Sequence, residues 1–336
     1  AEIGIQAWQR FEHTGDKEWL RTKAYPFLKG AVEFYRNLPT MRLEDDGHYH
    51  LTNTNVHETV WGVRDSIYDL AALRASIPMA CRAAEVLGID EDLCGMWLEF
   101  LDRLTSYPRS DEDDAAYGLG PGTWAACRNP TGTGIKNVEQ VWLYPVFFED
   151  WTLLTGDEET DDIVACTYER LRDRELLKRG VLIALHSRFP VMMAKAGRAD
   201  DIEALLPVYL GTSMREPPNG LSLWEGLESM TAEHLGLAAY ALLEALLQSS
   251  GSSPGTAPII NVFPAWPATW NARYSLLARG GFVVTAGFED GETKYVDVES
   301  NLGNVCRVHN PWPRPVRVYR NGPAAESVEG SFFELA

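Results

Sequence analysis

The stretch LTNTNVHETVWG, at residues 51–62, combines the residue types most suited to chemistry on a polar substrate. Its polar and aromatic members are Asn53, Asn55, His57, Glu58 and Trp61. Burial near an aromatic ring can keep a carboxyl group protonated, and such a group can donate a proton to a leaving atom. Glu58 is therefore a candidate general acid, and a solvated loop carboxylate is the competing interpretation.

A second candidate carboxylate is Glu233, in the stretch SMTAEHLGLAAY. It falls in the first turn of a long apolar helical pattern that follows the loop REPPNG. Acids in a first turn also compensate the helix dipole, so position alone does not establish catalysis. Its neighbour His234 is either a site residue or a histidine of the core, and Glu225 and Glu228 compete for the role of second carboxylate.

Two further pairs of polar residues are candidate parts of a site. His186 and Arg188 follow the apolar run VLIAL and could bind sugar hydroxyls or fill a packing defect. His48 and His50 resemble a metal-binding pair, but no third ligand stands at a useful spacing. No glycine-rich phosphate loop follows a strand pattern, so the sequence predicts neither a metal nor another cofactor.

Composition narrows the class of partner. The chain has 336 residues, 45% of them hydrophobic, and a formal net charge of -18. That charge argues against nucleic acid and anionic membranes as partners, because both need basic surfaces. Five cysteines are widely spread without a C-x-x-C pair, which predicts buried free thiols rather than a disulfide framework.

Residues 1–250 alternate between helical patterns and short polar breaks. The phrases HTGDKEWL, LTGDEETD and KAGRADDI each place a glycine to end one helix and an aspartate to cap the next. We therefore predict an array of helical hairpins over residues 1–250. Strand patterns with hairpin turns follow the break GSSPGTAP, so residues 251–336 are predicted to form a small β-domain.

Helical hairpin arrays that close on themselves form toroids with a central funnel, and glycosidases and polysaccharide lyases use such funnels. Two carboxylates flanking a glycosidic bond can protonate the leaving oxygen and activate water. Several phrases then resemble glycoside hydrolase family 95, the α-L-fucosidase and α-L-galactosidase family. They are FEHTGDKEWLRTKAYPFLKGAVEFY, SIYDLAALRASIPMACRAAEVLGID, VWLYPVF, LIALHSRFPVMMAKAGRADDIEALL, INVFPAWPATW and LLARGGFVV. Their order holds from about residue 1 to residue 306.

The resemblance implies a mainly α fold, an (α/α)6 toroid followed by a β-sandwich. It also implies that an upstream β-sandwich, a linker and the first toroid helices are missing from this chain. The family's water-positioning asparagines would lie in that missing part. No signal peptide is visible at the start, and a secreted or periplasmic location is favoured by the resemblance alone.

The resemblance also implies roles for individual positions. Glu58 stands at the position of the general acid, with Val56-His57 in place of the family's Ser-Pro. Glu233 stands at the position of the aspartate base. Glu139 and Trp142 replace two histidines that help shape the sugar site, which suggests a changed substrate. The expectation is an exo-acting, inverting hydrolase of α-L-fucoside or α-L-galactoside residues, with carboxyls roughly 6.5–9.5 Å apart.

Two rival functions stay open on the sequence. A polysaccharide lyase of the toroid class could use Tyr144, His186 and Arg188 on a uronic acid. A catalytically decayed toroid would bind carbohydrate without turning it over. The lost histidine pair and the aspartate-to-glutamate change both permit the second alternative.

Overall fold

A computed structural model describes residues 1–56, 60–130, 141–179, 188–213, 222–224, 229–231, 233–253, 255–322 and 325–335. Helices dominate as far as residue 246, and strands dominate beyond it. The predicted change from a helical to a β-rich part is therefore confirmed. The division at residue 250 stays a prediction; strand β8, Leu247–Gln248, already pairs with β9, Ile259–Val262.

In chain order the helices are α1 Glu2–Thr14, α2 Lys17–Trp19, a π-helical segment Leu20–Ala24, α3 Tyr25–Arg36, α4 Ile67–Leu87, α5 Glu91–Asp102, a 3-10 turn Val141–Leu143, α6 Tyr144–Phe148, α7 Glu158–Arg179, α8 Phe189–Lys195, α9 Ala199–Ser213 and α10 Glu233–Leu246. They account for most of the first 246 residues outside the segments between α3 and α4 and after α5.

Local capping explains several helix ends. Gly15 adopts a left-handed φ of 65° after α1, and Gly88 one of 66° after α4, as expected for glycines that end helices. The Asp16 side chain accepts a hydrogen bond from the Trp19 amide at 2.9 Å and so caps the next helix. Asp90 directly precedes α5, but its side chain does not cap this helix; its carboxylate accepts from the Tyr25 hydroxyl and from Lys29 Nζ, both at 2.6 Å.

Alternate helices run in the same direction around a common interior. At one end, Tyr68 near the start of α4 contacts Tyr144 at the start of α6, with ring centroids 4.7 Å apart. Arg188, which precedes α8, binds Glu2 at the start of α1. At the other end, Glu244 near the end of α10 lies 3.6 Å from Lys195, the last residue of α8. Helices α1, α4, α6, α8 and α10 are thus parallel, with α3, α5, α7 and α9 between them in sequence.

A small sheet, which the sequence analysis did not predict, precedes α4 and continues after α5. It consists of β1 Met41–Leu43, β2 Tyr49–Thr54, β3 Val63–Arg64, β4 Ala115–Ala116 and β5 Cys127–Arg128, in the order β1-β2-β3-β5-β4. Strands β2 and β3 form the arms that bracket the loop carrying Glu58. The sheet therefore determines where the predicted acid loop leaves the helical body.

The β-rich part contains two main sheets and a hairpin. One sheet has the order β10-β11-β12, with β10 Ala272–Ala278, β11 Phe282–Glu289 and β12 Glu292–Ser300. The other has the order β16-β13-β9-β8, with β13 Cys306–His309 and β16 Phe332–Leu335. Strands β14 Val316–Tyr319 and β15 Ala325–Val328 form the hairpin, and β6 Ser222–Trp224 pairs with β7 Ser229–Thr231 in the helical part. Buried residues of both main sheets, including Val262, Val284 and Val308, form one apolar cluster.

Among the residues described, no helix has the length and apolarity required to cross a membrane.

Candidate active site

The starts of α1, α4, α6 and α8 come together at one end of the helical body, and we call this end the mouth. The Arg188 Nη2 atom lies 2.7 Å from Glu2 Oε1. The same guanidinium lies 5.4 Å from the centroid of the Tyr144 ring and 5.5 Å from that of Phe147. The ring of Tyr68, near the start of α4, contacts the ring of Tyr144, at the start of α6, edge to face. The mouth thus presents aromatic rings together with an oriented guanidinium, a combination suited to polar ring-shaped ligands.

A cavity of about 180 Å³ continues from the mouth along the interior of the parallel helices. Its lining is shared by α1, α6, α8 and α10, and it includes Glu2, Gln6, Gln9, Arg188 and Tyr240. The sequence analysis predicted a polar role for Arg188, and the structure places it on the wall of this cavity. His186 lies outside the described residues.

The loop between β2 and β3 brings the predicted acid segment to the start of α4. The Val56 amide donates to the Val60 carbonyl at 3.2 Å, which closes the base of the loop. His57 and Glu58 belong to residues 57–59, outside the described part of the chain. The described residues Val56 and Val60 on either side of them lie a few residues before α4.

Three residues that flank residues 57–59 have exposed side chains. Asn53 adopts a left-handed φ of 58° and is exposed, as is Asn55. Trp61 keeps 61% of its surface exposed, unusual for so large an apolar side chain. These three side chains are accessible on the same loop, which is the arrangement expected for residues that meet a substrate; their binding role stays a prediction.

Trp142 has a different environment from the one expected of a sugar-contacting residue. It lies in the 3-10 turn before α6 and is only 4% exposed. Its indole nitrogen donates to the Tyr117 carbonyl. This hydrogen bond ties the turn before α6 to the loop around Tyr117, so the geometry favours a supporting role. Glu139, the other replacement of the family's histidines, lies outside the described residues.

Glu233 is the first residue of α10, and His234 is the second. The prediction of a helix start at this position is therefore correct. Nothing is described of either side chain, nor of Glu225 and Glu228. Since α10 runs parallel to α1 and α8, its first turn belongs to the end of the body at which the mouth lies.

A buried carboxylate, Asp65, anchors the loop that carries Glu58. We call Asp65, His50, Arg64 and Arg128 the Asp65 cluster. Asp65 is fully buried and accepts hydrogen bonds from His50 Nδ1 at 2.7 Å, from the Leu51 amide at 3.1 Å and from Arg128 Nη1 at 3.1 Å. It sits directly after β3 with a left-handed φ of 52°. The cluster therefore joins β2, β3 and β5 below the loop.

The Asp65 cluster explains the histidine pair that resembled a metal site. His50 bridges two carboxylates, because its Nε2 atom also lies 2.9 Å from Asp46 Oδ2. His48 is exposed and lies 3.8 Å from the same carboxylate. Within the described ranges, no group of His, Cys, Asp and Glu side chains is arranged to hold a metal ion. A structural ion-pair cluster accounts for the HYH motif without a metal.

Asp69, in the first turn of α4, is a candidate that sequence reasoning missed. Its Oδ1 atom accepts from the Tyr35 hydroxyl at 2.7 Å, while its Oδ2 atom is buried without a hydrogen-bond partner. Burial raises the pKa of this carboxyl, although hydrogen bonds from Tyr35 and Ser66 act in the opposite direction. A carboxyl with a raised pKa close to the mouth is a recognised feature of functional sites. In sequence it looked like an ordinary first-turn acid.

The opposite end of the parallel helices is closed by buried charges. We call Glu12, Asp150, Lys195, Glu244 and Arg279 the buried ion network. Asp150 accepts from Lys195 Nζ at 2.8 Å and from the Arg279 guanidinium, and these cations lower its pKa below the usual range. Arg279 follows β10, so the network links the helical body to the β-rich part. The mouth is consequently the end of the helical body that lies away from this link.

Comparison with known proteins points to one family. Residues 3–113 match the model of the glycosyl hydrolase family 95 catalytic domain. The resemblance to family 95 is confirmed. The matched range contains α1 to α5, residues 57–59 and, of the Asp65 cluster, Asp65, His50 and Arg64.

Two curated relatives support the same class of enzyme. A kojibiose hydrolase of Flavobacterium johnsoniae is 32% identical over 89 residues, which is 26% of this chain and 13% of that protein. A kojibiose hydrolase of Mucilaginibacter mallensis is 26% identical over 91 residues, 27% of this chain and 13% of that protein. The chain therefore matches a small part of the length of these relatives.

A solved structure has a similar fold. It is provisionally named as a kojibiose phosphorylase from the human microbiome, and the superposition has a TM-score of 0.50 at 10% identity. It covers 99% of this chain and 48% of the other. At this identity the likeness concerns the fold alone, and it extends beyond residue 113.

Proposed function

We propose that the protein is an exo-acting, inverting glycoside hydrolase, with Glu58 as general acid and Glu233 as general base. The observation that carries the proposal is the family 95 match over residues 3–113, because this range includes the acid loop at the mouth. Glu233 begins α10 at the same end of the helical body. An inverting mechanism needs carboxyls roughly 6.5–9.5 Å apart, with a water molecule between one of them and the sugar.

The proposal includes a specific architecture. The parallel helices α1, α4, α6, α8 and α10 and the helices between them would form most of an (α/α)6 toroid, and the two main sheets would pack as a β-sandwich. Support comes from the shared direction of the parallel helices and from the single apolar cluster of the two sheets. In such a toroid the mouth is the substrate entrance.

Two substrate classes follow from different observations. The family 95 resemblance favours α-L-fucoside or α-L-galactoside residues at the end of a glycan. The names of the two curated relatives favour kojibiose, an α-linked disaccharide of glucose. In both cases a terminal sugar would meet Trp61, Asn53 and Asn55 from the loop and Arg188 from the wall of the cavity.

Asp69 would assist rather than replace Glu58. Its carboxyl lies behind the mouth and accepts a hydrogen bond from the Tyr35 hydroxyl, and burial raises its pKa. When ionised, it would place a negative charge beside the loop. That charge would raise the pKa of a nearby general acid, because a second negative charge would be unfavourable.

The test is a hydrolysis screen with the complete natural protein. The substrates are α-L-fucosides, α-L-galactosides and kojibiose, and the anomer released first is identified by NMR. We expect release from one class with inverted configuration, and loss of release in Glu58→Gln. Glu91→Gln serves as the control, because Glu91 is an exposed first-turn acid of α5.

Other outcomes would overturn specific parts of the proposal. Hydrolysis that persists in Glu58→Gln would remove the assigned acid. A product with the absorbance of an unsaturated uronic acid would indicate the lyase alternative. Sugar binding without turnover of any substrate would indicate a carbohydrate-binding toroid that has lost catalysis.

A further inference from the structure

Two of the five cysteines lie side by side on neighbouring helices. Cys81 is in the second half of α4, and Cys94 is in the first half of α5. Between them the chain reverses direction through Gly88 and Asp90, which have left-handed φ values of 66° and 55°. This tight reversal brings the second half of α4 against the first half of α5.

The contact between the two cysteines is reciprocal. The Cys81 Sγ atom lies 3.9 Å from the Cys94 carbonyl oxygen, and the Cys94 Sγ atom lies 4.0 Å from the Cys81 carbonyl oxygen. Each thiol thus points toward the backbone of the other residue. Both residues are half-buried, so small molecules in solvent can reach them.

The other three cysteines have different surroundings. Cys127 and Cys306 are buried. Cys166 is half-buried, and its Sγ atom contacts the Pro121 carbonyl at 3.6 Å. In the described residues, Cys81 and Cys94 are therefore the two cysteines whose thiols each contact the backbone carbonyl of the other.

We propose that Cys81 and Cys94 form a redox-active thiol pair that closes to an intramolecular disulfide between α4 and α5. This inference does not depend on the proposed hydrolase activity. It departs from the sequence-based expectation of buried free thiols, which rested on the wide spacing of the five cysteines. A disulfide requires its two Cβ atoms to approach to about 3.5–4.5 Å, and thiols that already contact each other's residue need little movement to reach this.

The step is thiol–disulfide exchange with a small disulfide such as glutathione disulfide. One cysteine thiolate attacks a glutathione sulfur, forming a mixed disulfide and releasing one glutathione thiolate. The second cysteine thiolate attacks the protein sulfur of that mixed disulfide, forming the S–S bond and releasing the second glutathione. Two protein thiols are oxidised and one glutathione disulfide is reduced, so that two protons and two electrons are accounted for.

The surroundings of the pair affect the rate of this exchange. Burial raises the pKa of the Cys81 thiol to about 12, and the neighbouring Cys94 contributes in the same direction. Tyr25 lies close to both thiols, with its hydroxyl bonded to Asp90, and Lys29 binds the same carboxylate. The exchange is therefore best tested at a mildly alkaline pH, where more of the thiol is ionised.

The cross-link would tie together the two helices that lie behind the mouth. It joins positions 13 residues apart in the chain. Closing such a loop restricts the unfolded chain and stabilises the native pairing of α4 and α5. Since α4 begins at the mouth, a fixed α4–α5 pair also fixes the base on which the Glu58 loop is mounted.

The experiment treats the folded protein with glutathione disulfide, blocks the remaining thiols and maps the peptides by mass spectrometry. The variants are Cys81→Ser and Cys94→Ser, with Cys166→Ser as the matched control. We expect a disulfide-linked peptide containing Cys81 and Cys94 in the wild type and in Cys166→Ser. In the two other variants, the remaining cysteine should carry only a glutathione adduct.

Thermal unfolding with and without reductant gives an independent measurement. The oxidised wild type should unfold at a higher Tm than the reduced protein, whereas Cys81→Ser should show no such difference. Recovery of Cys81 and Cys94 as free thiols, or as two separate glutathione adducts on the wild type, would overturn the proposal. Circular dichroism of each serine variant verifies that the fold is retained.

Discussion

Glu12 shows how a single buried residue can make the stability of this fold depend on pH. Burial raises the pKa of its carboxyl from 4.5 to about 7, although Arg279 nearby lowers it. Its Oε2 atom lies 3.6 Å from Arg279 Nε, a longer distance than a charge-assisted hydrogen bond. The folded protein therefore holds a proton on Glu12 that the unfolded chain gives up more easily.

The first prediction concerns the variant Glu12→Gln. A raised carboxyl pKa contributes stability below the unfolded pKa of 4.5, and that contribution is lost as pH rises toward the folded value of about 7. A shift of this size corresponds to roughly 3 kcal/mol at most. Urea titrations from pH 4 to 8 should show that the wild type loses unfolding free energy relative to Glu12→Gln over this window. Parallel curves for the two proteins would contradict the assignment, and Glu91→Gln provides the exposed control.

The second prediction concerns the guanidinium at the mouth. Lysine keeps the charge of Arg188 but loses the planar group that binds Glu2 and lies against Tyr144. We expect Arg188→Lys to lower kcat/KM by about tenfold, which corresponds to roughly 1.4 kcal/mol of transition-state binding. The control is Arg198→Lys, since Arg198 lies against the Tyr168 ring beside the start of α9. Equal kinetics for both variants would place Arg188 outside the substrate path.

At the scale of elements, the β2–β3 hairpin holds the described residues that flank residues 57–59. The pairing of Val56 with Val60 closes its base, and the Asp65 cluster holds its arms. A buried carboxylate that receives three hydrogen bonds is costly to leave incomplete. The described residues on either side of residues 57–59 are thus held by side chains of the Asp65 cluster.

The third prediction tests this support. Asp65→Asn removes the charge that faces His50 and Arg128, and should lower the unfolding free energy by about 3 kcal/mol. It should also reduce kcat/KM, because the loop carries both the proposed acid and the proposed sugar contacts Asn53, Asn55 and Trp61. Glu85→Gln is the matched control, since Glu85 binds the exposed Arg82 on α4, outside the Asp65 cluster, and exposed pairs contribute about 0–1 kcal/mol. A similar loss in both variants would show that the cluster has no special role.

The elements that could be predicted from sequence are those whose causes are local. Gly15, Gly88 and Asp16 end or begin helices through interactions within one turn, and each behaves as expected. The small sheet around β2 was missed because its strands are short, polar and paired over long sequence distances. Arg128 contacts Asp65 across 63 residues, and no periodicity in the sequence reports such a contact.

The candidate site could be predicted only in part for the same reason. The resemblance identified the loop before α4 and the start of α10, because both are motifs with a fixed order in the chain. It could not indicate that Trp142 is buried against the Tyr117 carbonyl. Nor could it indicate that Asp69 has a buried, unpartnered oxygen, since burial depends on how α3 and α4 pack together.

At the scale of the whole molecule, the two ends of the parallel helices have opposite roles. The mouth carries half-exposed polar and aromatic side chains, whereas the other end carries the buried ion network. Arg279 enters this network from the end of β10 and binds Asp150, which follows α6. The β-rich part is therefore attached through a charge pair that is removed from water, in addition to its apolar contacts.

The fourth prediction concerns this attachment. Arg279→Met keeps much of the side-chain volume but leaves Asp150 with Lys195 as its remaining cation. Removing one member of a buried ion pair typically costs about 3–5 kcal/mol. Because Arg279 links two parts with separate apolar clusters, the loss should also uncouple their unfolding. Calorimetry should resolve two transitions in the variant where the wild type has one.

The control is Arg273→Met, at a solvent-exposed position of the same strand β10. It should leave the single transition intact, because its guanidinium is not part of the buried ion network. A single transition in Arg279→Met, shifted only in temperature, would mean that apolar contacts alone couple the two parts. Two transitions would mean that the network couples the β-rich part to the helices, and so keeps the far end of the helical body closed while the mouth stays open to substrate.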